Sequence, residues 1–107
     1  MMIKNLNQLK KHIKADVRFE IVDHCKTDYI GQIRKVTAVN GNCFYSIVDG
    51  QPGHESSLAN NGKGIVCWWM QARFWSFDNG ICSIYLSDTK QDKDNLIMSF
   101  KILTEEA

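Results

Sequence analysis

Alternation of apolar and polar side chains dominates the chain after its first fifteen residues. Before that point the period is helical. Leu6, Leu9 and Ile13 recur at spacings of three and four, while Lys10, Lys11 and Lys14 fall on the other side. Asn5 precedes this stripe as an N-cap, and Gln8, three residues on, suits a capping box. The spacing predicts a helix over 5–14, too short to stand alone and so docked on the remainder. Ala15-Asp16 ends it.

The period then becomes two. Val17, Phe19 and Ile21 alternate with Arg18 and Glu20, predicting a half-buried strand. Cys25 to Asp28 is turn-like. Ile30 to Val39 predicts a second strand, with a bulge where alternation fails around Arg34-Lys35-Val36. Asn40-Gly41 predicts a type I′ hairpin turn into a strand from Cys43 to Val48, closed by Asp49-Gly50. A long irregular segment, Gln51 to Lys63, holds the single proline, Pro52. Asp78-Asn79-Gly80 predicts another hairpin turn, leading to Ile81–Leu86. After a charged loop from Ser87 to Asn95, a last strand follows on Leu96, Met98, Phe100 and Ile102.

Between them lies the densest aromatic stretch, Ile65 to Phe77, with all three tryptophans. Read as extended, Val66, Trp68, Met70, Ala72 and Phe74 share a core face. Ile65, Cys67, Trp69, Gln71, Arg73, Trp75 and Phe77 share the opposite, mixed face, and a break near Gln71-Ala72 would divide the run into two strands. One helix with five to seven short antiparallel strands predicts a mainly β (α+β) domain. Its form is a small SH3-like barrel or a curled sheet, with the short N-terminal helix over one open end. The β-rich body spans 17–103 and a short acidic tail 104–107.

At 107 residues, 44% hydrophobic and 23% charged, the chain is long enough for one hydrophobic core. A net charge of +1 argues against both a dedicated duplex-DNA binder and a nucleic-acid mimic. Residues 1–35 carry eight Lys/Arg against four Asp/Glu, a mildly basic N-terminal third whose simplest reading is solvated surface. Cys25, Cys43, Cys67 and Cys82 form no C-x-x-C pair, so no structural zinc or other metal is expected. The last three sit in apolar runs as reduced, buried thiols. With no apolar stretch of membrane-spanning length and no secretory leader after Met1, a cytoplasmic location is expected.

Catalytic patterns fail on inspection. His54-Glu55 lacks the second histidine of a zinc-protease helix, and Asp88 to Asn95 lacks the glycine and terminal glutamate of a calcium loop. His24-Cys25 are strand neighbours, which point to opposite faces rather than forming a nucleophile–base pair. No phosphate-loop, dinucleotide or other cofactor fingerprint is present. The chain reads as a non-enzyme without a cofactor.

Two groups carry the binding readings. Asn60-Asn61-Gly62-Lys63-Gly64 reads either as a solvated glycine turn or as an anion-binding nest of backbone N–H groups with Lys63 beside it. In the second reading Asn61, Gly62, Lys63 and Gly64 hold a phosphate while Trp68, Trp69 or Tyr45 stack on a base. Trp69, Arg73 and Trp75 form the second group, which reads either as core filler or as an anchor for a partner protein.

The order of short helix, strand, G-x-I-R-K-V run, N-G-K-G turn, Trp-rich strand and D-N-G hairpin resembles small proteins carried by bacteriophages and prophages. Asn61-Gly62-Lys63-Gly64 also resembles the N-G-K-G turn of the Thoeris anti-defence type 2 family, phage proteins that sequester a cyclic nucleotide immune signal. In that family a tryptophan directly precedes the turn, whereas here Asn60 does. The resemblance implies a phage anti-defence binding protein in the host cytoplasm that captures a small nucleotide-type ligand. The alternatives are an inhibitor of a host defence enzyme, such as a CRISPR nuclease, acting through the aromatic surface, or a single-stranded nucleic-acid binder. Edge strands leave a homodimer open.

Overall fold

The computed structural model describes residues 3–39, 44–49, 72–87 and 89–103. Helix α1 runs Leu6–His12. The Asn5 side chain accepts the Gln8 N–H at 2.9 Å, the predicted cap. The Gln8 side chain reaches one residue further back than a standard capping box, accepting the Lys4 N–H at 2.7 Å. Ile13 is already extended, so the helix ends before the predicted boundary at 14. Its apolar stripe holds nevertheless: Leu6, Leu9 and Ile13 are buried in the core, with Ile3 ahead of them.

Among the described residues six strands follow: β1 Arg18–His24, β2 Ile33–Val39, β3 Phe44–Val48, β4 Trp75–Asp78, β5 Ile81–Tyr85 and β6 Leu96–Ile102. They form one antiparallel sheet in the order β3-β2-β1-β6-β5-β4. The sheet is thus two three-stranded meanders joined through the central β1–β6 ladder, with β3 and β4 at the edges. It is not closed, so the curled sheet is the right form of the expectation and the barrel is not. Sequence alternation places side chains on faces, but closure depends on which distant strands meet.

One face carries the core. Phe19 and Ile102, Ile21 and Phe100, and His24 and Met98 oppose each other across β1 and β6. Cys82 and Ile84 continue this face onto β5, and Trp75 and Phe77 onto β4. Phe19, Phe44 and Phe100 make mutual edge-to-face contacts with centroids 5.3–5.7 Å apart, and Trp75 meets Phe100 edge-on at 6.1 Å. On the other face a hydroxyl row crosses the sheet as Ser76, Ser83 and Ser99, the last two bonded Oγ to Oγ at 2.7 Å.

Three irregularities set the phase of the strands. A bulge at Val22 shifts the β1–β6 register, another at Thr37 shifts β2–β3, and Ile97 is the extra residue between β6 and β5. The Thr37 bulge lies just past the predicted position. The Asn79-Gly80 turn is of the predicted kind, with φ of 51° and 80°. Gly41 lies outside the described residues. Among the described residues no helix is long and apolar enough to cross a membrane.

Candidate functional site

The sheet geometry inverts the expected pattern at the start of β2. Phe19 opposes Arg34, and Glu20 opposes Ile33. Phe19 belongs to the core face, so Arg34 points inward and Ile33 outward. Arg34 is only 4% exposed, whereas the apolar Ile33 is 43% exposed. A cation inside and an isoleucine outside is the reverse of ordinary strand partitioning.

The guanidinium is held by neutral acceptors. Nε donates to Ser46 Oγ at 2.8 Å and Nη2 to the Ser46 carbonyl at 2.8 Å. Nη1 donates to Gln32 Oε1 at 2.9 Å. Ser46 is itself buried on β3, so one edge of the arginine fork clamps the outermost strand. Three of the five N–H groups are used, which leaves two donors on the Nη nitrogens.

Among the described residues no carboxylate lies within ion-pair distance of Arg34. Asp49 pairs with Arg18 at 3.6 Å, Glu20 with Lys101 at 3.5 Å, and Asp23 with Lys93. Desolvation pulls the Arg34 guanidinium below its ordinary value, opposed by the nearby Tyr29 phenol. An arginine stays charged even so. The result is a buried, positively charged fork, walled by Ser46 and Gln32, with no counter-charge among the described residues. Gln32 and Tyr29 are both half-buried.

Tyr29 belongs to a 3-10 turn, Thr27–Tyr29, between β1 and β2. Gly31 ends it at φ 90°, a conformation suited to glycine, and its N–H returns to the Ile21 carbonyl at 2.8 Å. Behind Tyr29 lies His24, edge-on with ring centroids 4.9 Å apart. His24 is buried because the Val22 bulge reverses parity: simple alternation from Phe19 and Ile21 would have turned Asp23 inward. His24 Nδ1 accepts the Lys26 N–H at 2.8 Å. Cys25 Sγ lies 3.8 Å from the same nitrogen, so the neighbours do meet at their tips despite the strand rule. This is still not an activated thiol pair. The nitrogen that would take the thiol proton already accepts a backbone N–H, and desolvation raises the thiol above its ordinary value.

Of the residues picked out by sequence, Tyr45 is half-buried on β3, opposite Ala38 on the face away from Arg34. Arg73 is exposed, its guanidinium 5.2 Å from the Phe74 ring centre. Trp75 corrects an expectation. It is 7% exposed in the core and stacked on Phe77 at 5.9 Å, rather than displayed with Arg73. The reason is local: Ala72–Phe74 is a 3-10 turn, so β4 starts with a new phase at Trp75, and Phe74 is not the core residue. Asn61, Gly62, Lys63, Gly64, Trp68 and Trp69 lie outside the described residues, as do Cys43 and Cys67. Cys82 is fully buried, as expected of a small hydrophobe.

Arg34 was not among the sequence candidates, although a signal existed. Arg34 and Val36 are two apart on one strand and must share a face until the bulge. Comparisons with protein-family models, curated proteins and solved structures found no match.

Proposed function

We propose that this protein is a non-enzymatic binding module that captures a small anionic ligand through Arg34. The observation carrying this reading is a guanidinium at 4% exposure whose acceptors are all uncharged. Burying an ion without an opposite charge beside it costs several kcal/mol by order of magnitude, about the size of a whole domain's margin over unfolding. Such a cost is offset when a ligand brings the opposite charge. A planar fork with two N–H groups in reserve matches a carboxylate or phosphate, which accept in pairs. Burial restricts the occupant to a small group rather than a protein surface.

A phosphorylated, nucleotide-type molecule is the class favoured, because the Asn61-Gly62-Lys63-Gly64 sequence and the tryptophans that follow it suit the same chemistry. Anti-defence sequestration in a host cell is the biological form this reading takes. The rival reading, an aromatic surface built on Trp69, Arg73 and Trp75, loses support from the burial of Trp75.

Titration calorimetry with inorganic phosphate, nucleoside monophosphates and cyclic and ADP-ribose-type nucleotides tests the proposal. Saturable heat in wild type that disappears in Arg34→Met is expected. Lys63→Ala and Trp69→Ala report separately on that stretch of sequence. No heat from any compound, or full affinity in Arg34→Met, ends the proposal.

A further inference from the structure

We infer that the outer face of the sheet, at the β1–β2 corner, is a self-association surface on which a second copy of this chain docks. The inversion that buries Arg34 also exposes its neighbour. Ile33 stands outside at 43% exposure, and two further large apolar side chains, Val22 and Ile30, are each 42% exposed. Single exposed apolar residues are ordinary, whereas a group of them marks a contact surface. Backbone pairing brings these three together. Glu20 opposes Ile33, and one step on, the Gly31 N–H bonds to the Ile21 carbonyl at 2.8 Å, which sets Ile30 beside Val22. The bulge turns Val22 outward with Asp23, between the buried Ile21 and His24, so Val22 is also a diagonal neighbour of Ile33.

Three ion pairs border this patch. Lys101, Glu20 and Ile33 lie in one row across the sheet, and the Asp49 N–H bonds to the Ile33 carbonyl at 2.9 Å, so Ile33 has an acidic residue on each side. Each carboxylate is matched: Glu20 pairs with Lys101 at 3.5 Å and Asp49 with Arg18 at 3.6 Å. Beyond Val22, Asp23 pairs with Lys93. The apolar centre is thus bordered by three cations and three anions, with Lys35, opposite Arg18, as one further cation.

That rim identifies the occupant. A polyanion such as nucleic acid or an acidic membrane is drawn to a surface of one sign, and this surface carries both. Under a two-fold axis a patch meets its own copy, so every cation must find an anion on the same surface and every anion a cation. Ion pairs around an apolar centre meet that condition: the apolar residues supply the dry core and the charges fix the orientation. The patch is small, which places the dissociation constant on the order of 10 μM. The Arg34 guanidinium lies on the opposite face of the sheet, so the inference stands apart from anion capture.

Sedimentation velocity from about 5 μM to about 500 μM, a range that spans such an affinity, tests it. Wild type should pass from monomer to dimer. Ile33→Lys removes the apolar centre while offering Glu20 a cross-strand partner, so the monomer keeps its fold. Its dimer should be weaker by at least about thirtyfold, the loss expected at the centre of an interface. Leu86→Lys, at an exposed apolar residue outside the patch, should associate like wild type. Isotope-filtered NMR on an equal mixture of labelled and unlabelled wild type supplies a readout that needs no variant: methyl contacts between copies should fall on Val22, Ile30 and Ile33. A wild type that stays monomeric across the range, undiminished affinity in Ile33→Lys, an equal loss in Leu86→Lys, or inter-copy contacts confined to other residues each overturns the inference.

Discussion

Replacing Arg34 by methionine separates a ligand-binding charge from a structural clamp. Met has nearly the length of the arginine stem and no charge, so the core face keeps its packing. Two terms of similar size oppose each other. The substitution removes three hydrogen bonds, from Nε and Nη2 to Ser46 and from Nη1 to Gln32. Bonds from a charged donor contribute about 1.5–3 kcal/mol each before the donor's own desolvation is counted. Against this stands that desolvation, several kcal/mol for an ion at 4% exposure with no carboxylate beside it among the described residues. The terms nearly cancel, and the expected change in unfolding free energy is within about 1 kcal/mol. Arg34→Lys sharpens the comparison. It keeps the charge but cannot grip Ser46 with a planar fork, so it should be less stable than Arg34→Met. Urea unfolding of the three proteins in phosphate-free buffer, with unchanged slopes, gives the numbers. A loss above about 3 kcal/mol in Arg34→Met, typical of breaking a fully satisfied buried network, would refute the reasoning and make Arg34 a clamp for β3.

Other expectations follow from single features. Gly80→Val should cost more than about 1 kcal/mol, because the position sits at φ 80° in a two-residue turn; a thermal midpoint equal to wild type would remove the turn assignment. Burial raises the Asp23 carboxyl, but the Lys93 ammonium and the His24 N–H outweigh it and hold it below its ordinary value. Its contribution to stability is therefore present above the ordinary carboxylate range and lost as pH falls below it. Lys93→Met should accordingly destabilise at pH 7 and leave stability at pH 2 unchanged, as read by urea midpoints at the two pH values. Burial pushes the Cys82 thiol up to about 12, so alkylation at pH 8 should label exposed Cys25 first and reach Cys82 only on unfolding, as peptide mapping would report.

Much of the fold was legible because it is local. Asn5 and the Leu6-Leu9-Ile13 stripe fixed α1, alternation from Phe19 to Ile21 set the core side of β1, and Asn79-Gly80 announced its hairpin. What could not be read was parity after an irregularity. One extra residue at Val22 exchanged Asp23 for His24 on the inner face, and the Ala72–Phe74 turn moved Trp75 from a display surface into the core. The open sheet was equally hidden, since pairing β1 with β6 joins segments about eighty residues apart in sequence, which no short-range pattern encodes. Arg34 fell between these cases. Its spacing from Val36 placed it inward, but a basic residue in a Lys-Arg-rich third of the chain reads first as surface.

The most direct measurement is the nitrogen-15 spectrum of the arginine side chains during titration with inorganic phosphate at constant ionic strength. Saturable movement of the Arg34 Nε resonance, accompanied by the Ser46 and Gln32 amides and absent from Arg18 and Arg73, is what anion capture predicts. An Arg34 signal that stays fixed while only the surface arginines drift would contradict it.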